Sequence, residues 1–157
     1  MSDVYEMIRQ SMPHTVPFAK HTGIDLTEVG DGHATASLTQ SPETTNHIGS
    51  IHAGALFTLA ETAAGGAVAA GFAPFMLNMK AIPTDMSIQL QSRARGNVTA
   101  TAFFAEEIDQ LRETLSASRS VWTQVLVKLT SCEDDTMIGS FLSEWKVSLR
   151  EELSKVA

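Results

Sequence analysis

The chain has 157 residues, which suits one domain with a substantial hydrophobic core. Its 11 basic and 18 acidic side chains leave a net charge of −7, which argues against nucleic-acid binding because no dense cationic surface is available. Hydrophobic residues make up 43% of the sequence, as in a folded globular protein. The single cysteine excludes an internal disulfide and a cysteine-based metal site. We therefore expect one domain, residues 1–157, in the reducing cytoplasm.

The N-terminal third predicts a helix followed by a hairpin. Apolar side chains recur at helical spacing over the first dozen residues, where two carboxylates also argue against a secretory signal. Residues 24–29 predict a strand, and a Gly-Asp-Gly turn ends it. Residues 33–40 then alternate between apolar and polar, which is typical of a half-buried antiparallel strand.

The middle of the chain is apolar and predicts a long helix over residues 51–72. Glu61 is the only Asp, Glu, Lys or Arg between residues 44 and 79. It splits the apolar run below the roughly 20 residues that a bilayer requires, and much of the remainder is weakly apolar alanine and glycine. We therefore expect a buried helix of a soluble protein and no membrane span.

The C-terminal half alternates with period two over residues 85–91, 98–104, 121–129 and 141–149, which predicts four more strands. Residues 107–118 lie between the second and third of these and predict a short amphipathic helix. The long central helix has no polar face and must be covered on most sides. An antiparallel sheet curled around it would do this, so the pattern predicts an α+β fold.

Glu61 is the anomalous residue of the central helix. A carboxylate among apolar side chains costs several kcal/mol unless it is paired, hydrogen-bonded or protonated. Such surroundings raise its pKa toward the range useful for a general base. The alternative is a structural carboxylate bonded to a nearby amide or to an arginine of a second chain.

His52 and Gly54 lie at the predicted start of the same helix. First-turn amides have no partner within a helix and carry the positive end of its dipole, so they can stabilise a developing oxyanion. A glycine there would let a ligand approach the backbone closely. The alternatives are a surface or capping histidine and a glycine kept for close packing of helix against sheet.

The spacing of His52 and Glu61 has a consequence for assembly. Nine residues of helix span roughly 13 Å, so the two side chains of one chain cannot act on the same atom. If both are catalytic, central helices from two subunits must meet. This predicts a two-fold dimer with two composite sites.

A set of residues at fixed intervals runs through this region: Asn46, Gly49, His52, Gly54 and Glu61, in which His52 follows Asn46 by six residues and Glu61 follows His52 by nine. It resembles the signature of hotdog-fold acyl-CoA thioesterases, and most of all the branch of 4-hydroxybenzoyl-CoA and phenylacetate-pathway enzymes. The matching positions are Asn46, Gly49, His52, Gly54 and Glu61. The resemblance implies a hotdog fold, an antiparallel sheet wrapped around one long central helix, here preceded by an N-terminal helix.

The resemblance also implies roles for the matching residues. Glu61 of the opposite subunit would be the general base that activates water, or the nucleophile itself. Amides near Gly54, including that of Ala53, would form the oxyanion hole. Asn46 and His52 would position the thioester or the water, and Gly49 would contact the substrate. No metal or other cofactor is implied.

The sequence departs from the family pattern at three places. Ala53 replaces a glycine but can still donate its N–H. Gly65 stands four residues after the acid, where many members have a serine or threonine, so Thr58 or Thr62 would have to place the water. The helix over residues 107–118 replaces a short turn and is expected to pack as a surface insertion.

Candidate substrate contacts follow from the chemistry of coenzyme A. Arg93 and Arg95 are the best-placed cations for its phosphates, and the alternative is that they are ordinary solvated charges. Phe57 is a candidate for the acyl pocket, although a phenylalanine at this spacing is also typical of the core.

The function predicted from these observations is hydrolysis of a small or medium acyl-CoA to free acid and CoA. The expected assembly is a homodimer, with pairing of two dimers into a homotetramer left open. Two alternatives are a hotdog dehydratase acting on hydroxyacyl thioesters and a non-catalytic acyl-CoA-binding or assembly protein.

Overall fold

The structure is a computed structural model that describes residues 2–150, so the outermost residues of the predicted domain lie outside it. The helices are α1 Ser2–Thr15, α2 Pro17–Thr22, α3 Ala53–Gly71 and α4 Ile108–Ser118. The strands are β1 Asp25–Gly30, β2 His33–Thr39, β3 Met79–Leu90, β4 Asn97–Phe104, β5 Ser120–Ser131 and β6 Met137–Leu149. Two 3-10 helices, Pro42–Thr44 and Ala73–Asn78, flank α3 on either side.

The six strands form one antiparallel sheet in the order β1-β2-β4-β5-β6-β3, and its concave face surrounds α3. The register aligns fully buried, inward-facing residues, with Ala100 of β4 paired to Ala36 of β2 and to Leu129 of β5. Alternate residues of β5 are buried from Val121 to Leu129. The predicted sheet around one long helix is therefore confirmed, and this arrangement is the hotdog fold.

The central helix α3 is buried because the sheet and α1 pack against it. A Cβ at Gly66 would lie 3.0 Å from the Cβ of Ala34 and 3.1 Å from the side chain of Leu26. Glycine at this position allows the helix to approach the sheet closely. By length and composition α3 resembles a membrane span, but 72% of its most apolar stretch is buried in the fold, as predicted for a core helix.

Helix α2 is an element that the hydrophobic pattern does not predict. Pro17 occupies its first turn, and Gly23 ends it in the left-handed conformation with φ of 72°. A proline at the start and a glycine just after the end are the sequence signals that would have located it. Ala19 is fully buried and anchors the helix.

Helix α4 matches the predicted insertion. Leu111 and Leu115 are buried, while Arg112 joins three parts of the fold. Its Nε donates to the carbonyl oxygen of Gly71 at 2.7 Å, and its other nitrogens bond to Asp31 and Asp109. The insertion is thus packed against the end of α3 and the β1–β2 turn.

Strand β3 lies at one edge of the sheet, and no strand within residues 2–150 pairs with its outer side. Its inward-facing residues Met79, Ala81, Pro83, Met86 and Ile88 are only half-buried, in contrast to those of β5. Leu77, just before this strand, is 96% exposed. The concave face is therefore less well covered at the β3 edge.

Candidate active site

The start of α3 is capped by a histidine. His52 is the N-cap residue, and its Nδ1 accepts a hydrogen bond from the backbone N–H of Gly54 at 2.9 Å. An accepting Nδ1 requires a neutral imidazole whose proton is on Nε2. The side chain is exposed, so this Nε2–H is directed to the surface of the helix start as a donor.

Gly54 is explained by this cap. A Cβ at position 54 would lie 3.0 Å from Nδ1 and 3.3 Å from Cε1 of His52, and no atom of the sheet would lie within 4 Å of it. The alternative of close helix–sheet packing is therefore wrong for this glycine, although it holds for Gly66. A side chain at position 54 would crowd the imidazole, which would have to shift by a few tenths of an ångström.

The backbone amides of the first turn are not equivalent. The N–H groups of Ala55 and Leu56 donate to the carbonyl of His52, and that of Gly54 donates to its ring. The N–H of Ala53 has no acceptor among residues 2–150, and the residue is exposed. Ala53 N–H and His52 Nε2–H are therefore the donors that this helix start presents to a ligand.

Asn46 bonds within the loop that leads into α3. Its Oδ1 accepts from the backbone N–H groups of Ile48 and Ser50, both at 3.1 Å, and its Nδ2 donates to the Ser50 hydroxyl at 2.9 Å. Gly49 completes the turn with φ of 72°. The predicted substrate contacts of Asn46 and Gly49 stay predictions, and in this structure both residues shape the approach to His52.

Arg93 and Arg95 are brought to the same end of the molecule. They flank Ala94, whose carbonyl oxygen accepts from the N–H of Ile51 at 2.8 Å, one residue before the helix cap. The loop is also tied to Gln40, whose side-chain oxygen accepts from Gly96 N–H at 3.0 Å. Both arginines are exposed, and neither forms an ion pair with another described residue.

Glu61 lies two turns further along α3 and is half-buried. Burial raises the pKa of its carboxyl group above the usual value of 4.5. No group within residues 2–150 hydrogen-bonds to it or pairs with its charge. Glu61 is thus a partly desolvated acid without the local stabilising contacts that a structural carboxylate would have.

The neighbours of Glu61 on α3 differ in their surroundings. Phe57 packs edge-on against Phe141, with ring centroids 5.2 Å apart, so it belongs to the margin of the core. The hydroxyl of Thr58 donates to the carbonyl of Gly54 at 2.9 Å. The hydroxyl of Thr62 is buried and makes no hydrogen bond to any described residue. Of the two threonines, Thr62 is the one whose hydroxyl has no partner among the described residues.

A cavity of about 320 Å³ opens at the helix start, between α2, the 3-10 helix before α3, and α3 itself. Its walls include Phe18, His21, Glu43, His52, Ala55 and Thr58. The hydrophobic pattern gave no sign of Phe18, His21 and Glu43 as site residues because it did not predict α2. No group of three or more metal-binding side chains occurs in the described part of the chain.

A larger cavity of about 730 Å³ lies elsewhere, between α1 and the strands β1 and β2. Its arginine already has partners, since Arg9 pairs with Glu6 and also donates to the carbonyl of Leu26. It contains none of the predicted site residues. The smaller cavity is the better candidate for an active site because it adjoins His52 and Gly54.

The fold and the helix-start cavity define a hotdog protein, a class that includes thioesterases. The chain belongs to the family described as a domain of unknown function (DUF4442), whose sequence model matches residues 5–140. No curated protein matches the sequence.

Solved structures share this fold at low sequence identity. A Pseudomonas aeruginosa protein of unknown function, described as a probable thioesterase, has a TM-score of 0.78 at 23% identity, covering 92% of this chain and 95% of its own. The E. coli PaaI protein from the phenylacetic acid degradation operon has a TM-score of 0.69 at 19% identity, covering 96% of each chain. A variant of a thioesterase enzyme from Staphylococcus aureus has a TM-score of 0.69 at 17% identity, covering 85% of this chain and 99% of its own.

Proposed function

We propose that the protein hydrolyses an acyl-CoA thioester to a free acid and CoA, at two composite sites of a homodimer. The observation that carries this proposal is the half-buried, unpaired Glu61 on the same helix whose N-terminal end presents uncommitted donors. Hotdog structures described as thioesterases support the same function.

The helix start would hold the thioester carbonyl. Its oxygen would accept from Ala53 N–H and from the Nε2–H of His52, where the helix dipole also favours negative charge. These donors would bind more strongly as the carbonyl becomes a tetrahedral oxyanion. They would therefore stabilise the transition state more than the ground state.

Glu61 of the other subunit would act on the carbonyl carbon. As a base it takes a proton from water, and the resulting hydroxide attacks the carbon. The tetrahedral intermediate then collapses and expels the CoA thiolate, which is protonated to the thiol. Thr62 would help to place the water. Direct attack by the carboxylate, giving an anhydride that water cleaves, is the alternative within this proposal.

The dimer is proposed because one chain cannot bring both halves of the site together. The incompletely covered residues of β3 and the fully exposed Leu77 provide an apolar surface for a second copy. An unpaired edge strand can also extend its sheet across a two-fold axis. Further pairing of dimers into a tetramer, and a cytoplasmic location, stay predictions.

Arg93 and Arg95 would bind the phosphates of CoA. Their loop is hydrogen-bonded to the segment that enters α3, which supports a position of the two charges near the proposed oxyanion hole. Guanidinium groups suit phosphate because they donate several hydrogen bonds at once.

A second candidate is binding of acyl-CoA without hydrolysis. It is favoured by two observations: the N–H of Gly54 is already bonded to His52, and Gly65 provides no hydroxyl one turn after Glu61. On this alternative acyl-CoA binds but no free thiol appears.

The test is a thiol-release assay across acyl-CoA esters of different chain length and aromatic acyl groups. Glu61→Gln should reduce turnover by a factor of about 100 or more, because a positioned base contributes about that much. Glu113→Gln, an exposed change on α4, is the matched control and should keep full activity. Equal turnover of wild type and Glu61→Gln would contradict the assigned role, and loss of water from a hydroxyacyl thioester would indicate the dehydratase.

A further inference from the structure

The face of α2 that borders the cavity is formed by Phe18, His21 and Thr22. These positions are three and four residues apart and therefore lie on one side of the helix. Ala19 is buried and holds the helix in place, and the left-handed Gly23 turns the chain into β1. Helix α2 thus forms a fixed wall opposite the first two turns of α3.

Phe18 is the apolar part of this wall. Its side chain is 64% exposed, although it borders a concave surface that also includes Ala55 and the methyl-bearing Thr58 of α3. The ring therefore has apolar area that an occupant of the cavity can cover. Such an occupant would gain binding free energy in proportion to the area removed from water.

The same cavity borders the proposed oxyanion hole at His52, one of the two residues that would supply its donors. His52 and Gly54 line it together with Phe18. If the carbonyl oxygen of a thioester lies at Ala53 N–H, either its acyl group or the pantetheine chain of its CoA can therefore reach this cavity. The volume of about 320 Å³ is at the small end of ligand pockets, which suits a short or medium acyl group.

Glu43 contributes a negative charge to the cavity. Hydrogen bonds from its own backbone and from the side chain of Ser41 lower the pKa of its carboxyl group, so the group is ionised at neutral pH. His21 and His52 are the other titratable groups that line the cavity. A ligand that carries its own carboxylate would be repelled by Glu43.

We infer that Phe18 and Glu43 are specificity-determining residues, and that the cavity receives the acyl group of an uncharged, apolar thioester. The inference rests on the proposed thioesterase function and names its substrate class. Phe18 contacts the acyl chain, while Glu43 disfavours acyl groups that end in a carboxylate.

The test measures binding without turnover. In S-(2-oxoheptyl)-CoA a methylene separates the sulfur from the carbonyl, so the molecule resembles hexanoyl-CoA but cannot be hydrolysed as a thioester. Its dissociation constant is compared by calorimetry with that of the short S-acetonyl-CoA and that of an analogue with a terminal carboxylate. The proteins compared are wild type, Phe18→Ala and Glu43→Gln. The controls are Glu113→Gln and Phe103→Ala, since Phe103 is a similarly exposed phenylalanine on the outer face of the sheet.

Phe18→Ala should weaken binding of the long analogue about tenfold and leave the short analogue within twofold. Glu43→Gln should tighten binding of the carboxylate analogue up to about fivefold at low salt, with no change for the neutral ones. Both controls should behave as wild type, and thermal melting verifies that each variant is folded.

The inference is overturned if Phe18→Ala weakens short and long analogues equally, which would place the pantetheine arm in the cavity, or if no analogue binds to wild type. It is also overturned if Glu43→Gln leaves the discrimination against carboxylate unchanged. Tight, Phe18-dependent binding without thiol release from hexanoyl-CoA would instead contradict the proposed hydrolysis and leave the specificity inference intact.

Discussion

The N–H of Gly54 donates to Nδ1 of His52 at 2.9 Å, and this bond links the two most conspicuous residues of the helix start. It satisfies one of the four amides that a helix leaves without internal partners. It also orients the imidazole, because an Nδ1 that accepts leaves its proton on Nε2. The two nitrogens of the His52 ring thus have different roles: Nδ1 caps the helix, and Nε2–H is the proposed oxyanion donor.

Gly54→Ala should disturb this arrangement. The new Cβ would lie 3.0 Å from Nδ1, so the ring must shift and the cap weakens. Loss of an N-cap costs about 1 kcal/mol, and we expect the free energy of unfolding in urea to fall by no more than this. The kcat/KM for thiol release should fall at least tenfold, because the Nε2–H moves with the ring.

His52→Asn is the matched variant for the cap. Asparagine is a good N-cap residue and should keep the stability of wild type, whereas His52→Ala should lose about 1 kcal/mol. Both variants lack the imidazole donor and should lose activity. Full activity in His52→Asn would show that the ring serves only the helix.

The pH dependence of Glu61 provides a second prediction. Because burial raises the pKa of its carboxyl group, the folded state binds the proton more tightly than the unfolded state does. The contribution of protonated Glu61 to the free energy of unfolding is fully present below the usual pKa of 4.5, and it is lost as pH rises through the raised pKa. Glu61→Gln should therefore be more stable than wild type at pH 7, and this difference should shrink toward pH 4.

The same shift predicts a pH–rate profile. A general base must be ionised, so kcat/KM for thiol release should decline as pH falls through the raised pKa of Glu61. Stability is followed by urea denaturation and activity by thiol release over the same pH series. A stability difference that is constant from pH 4 to 7 would contradict the inferred burial of the charge.

The proposed dimer is tested at the β3 edge. Ile88→Glu places a carboxylate on the half-buried inner side of this strand, where it would have to be desolvated on association. We expect sedimentation to show a monomer and thiol release to be lost, because each site would lack the Glu61 of its partner. Leu126→Glu, on the outer face of β5, is the control and should remain at least dimeric and active.

Arg93 and Arg95 are tested together. Replacing both with glutamine should raise KM for acyl-CoA several-fold at low salt and leave kcat within twofold, because exposed charges act mainly on binding. The effect should diminish as salt is added. Lys128→Gln, an exposed cation on β5, should leave both constants unchanged.

Period-two alternation located the strands, although β3 and β6 begin at Met79 and Met137, before the predicted starts at residues 85 and 141. The charge-poor segment around Glu61 located the central helix. Such patterns are readable because burial selects apolar side chains at the repeat of each element. Helix α2 was not predicted because its six residues provide too few turns for a periodic pattern. Its capping residues, Pro17 and Gly23, carried the signal instead.

The candidate site, like the fold, was only partly predictable from the sequence. The sequence alone singled out Glu61 as an unusual acid, because a charge inside an apolar helix is costly. It also singled out His52 and Gly54 as residues of a helix start, where a glycine is costly unless it has a specific role. The cap between His52 and Gly54, the loop bonds of Asn46 and the wall formed by Phe18 and Glu43 join residues through space. Contacts of this kind arise only when separate elements pack together, so they became visible in the folded chain and not in the order of its residues.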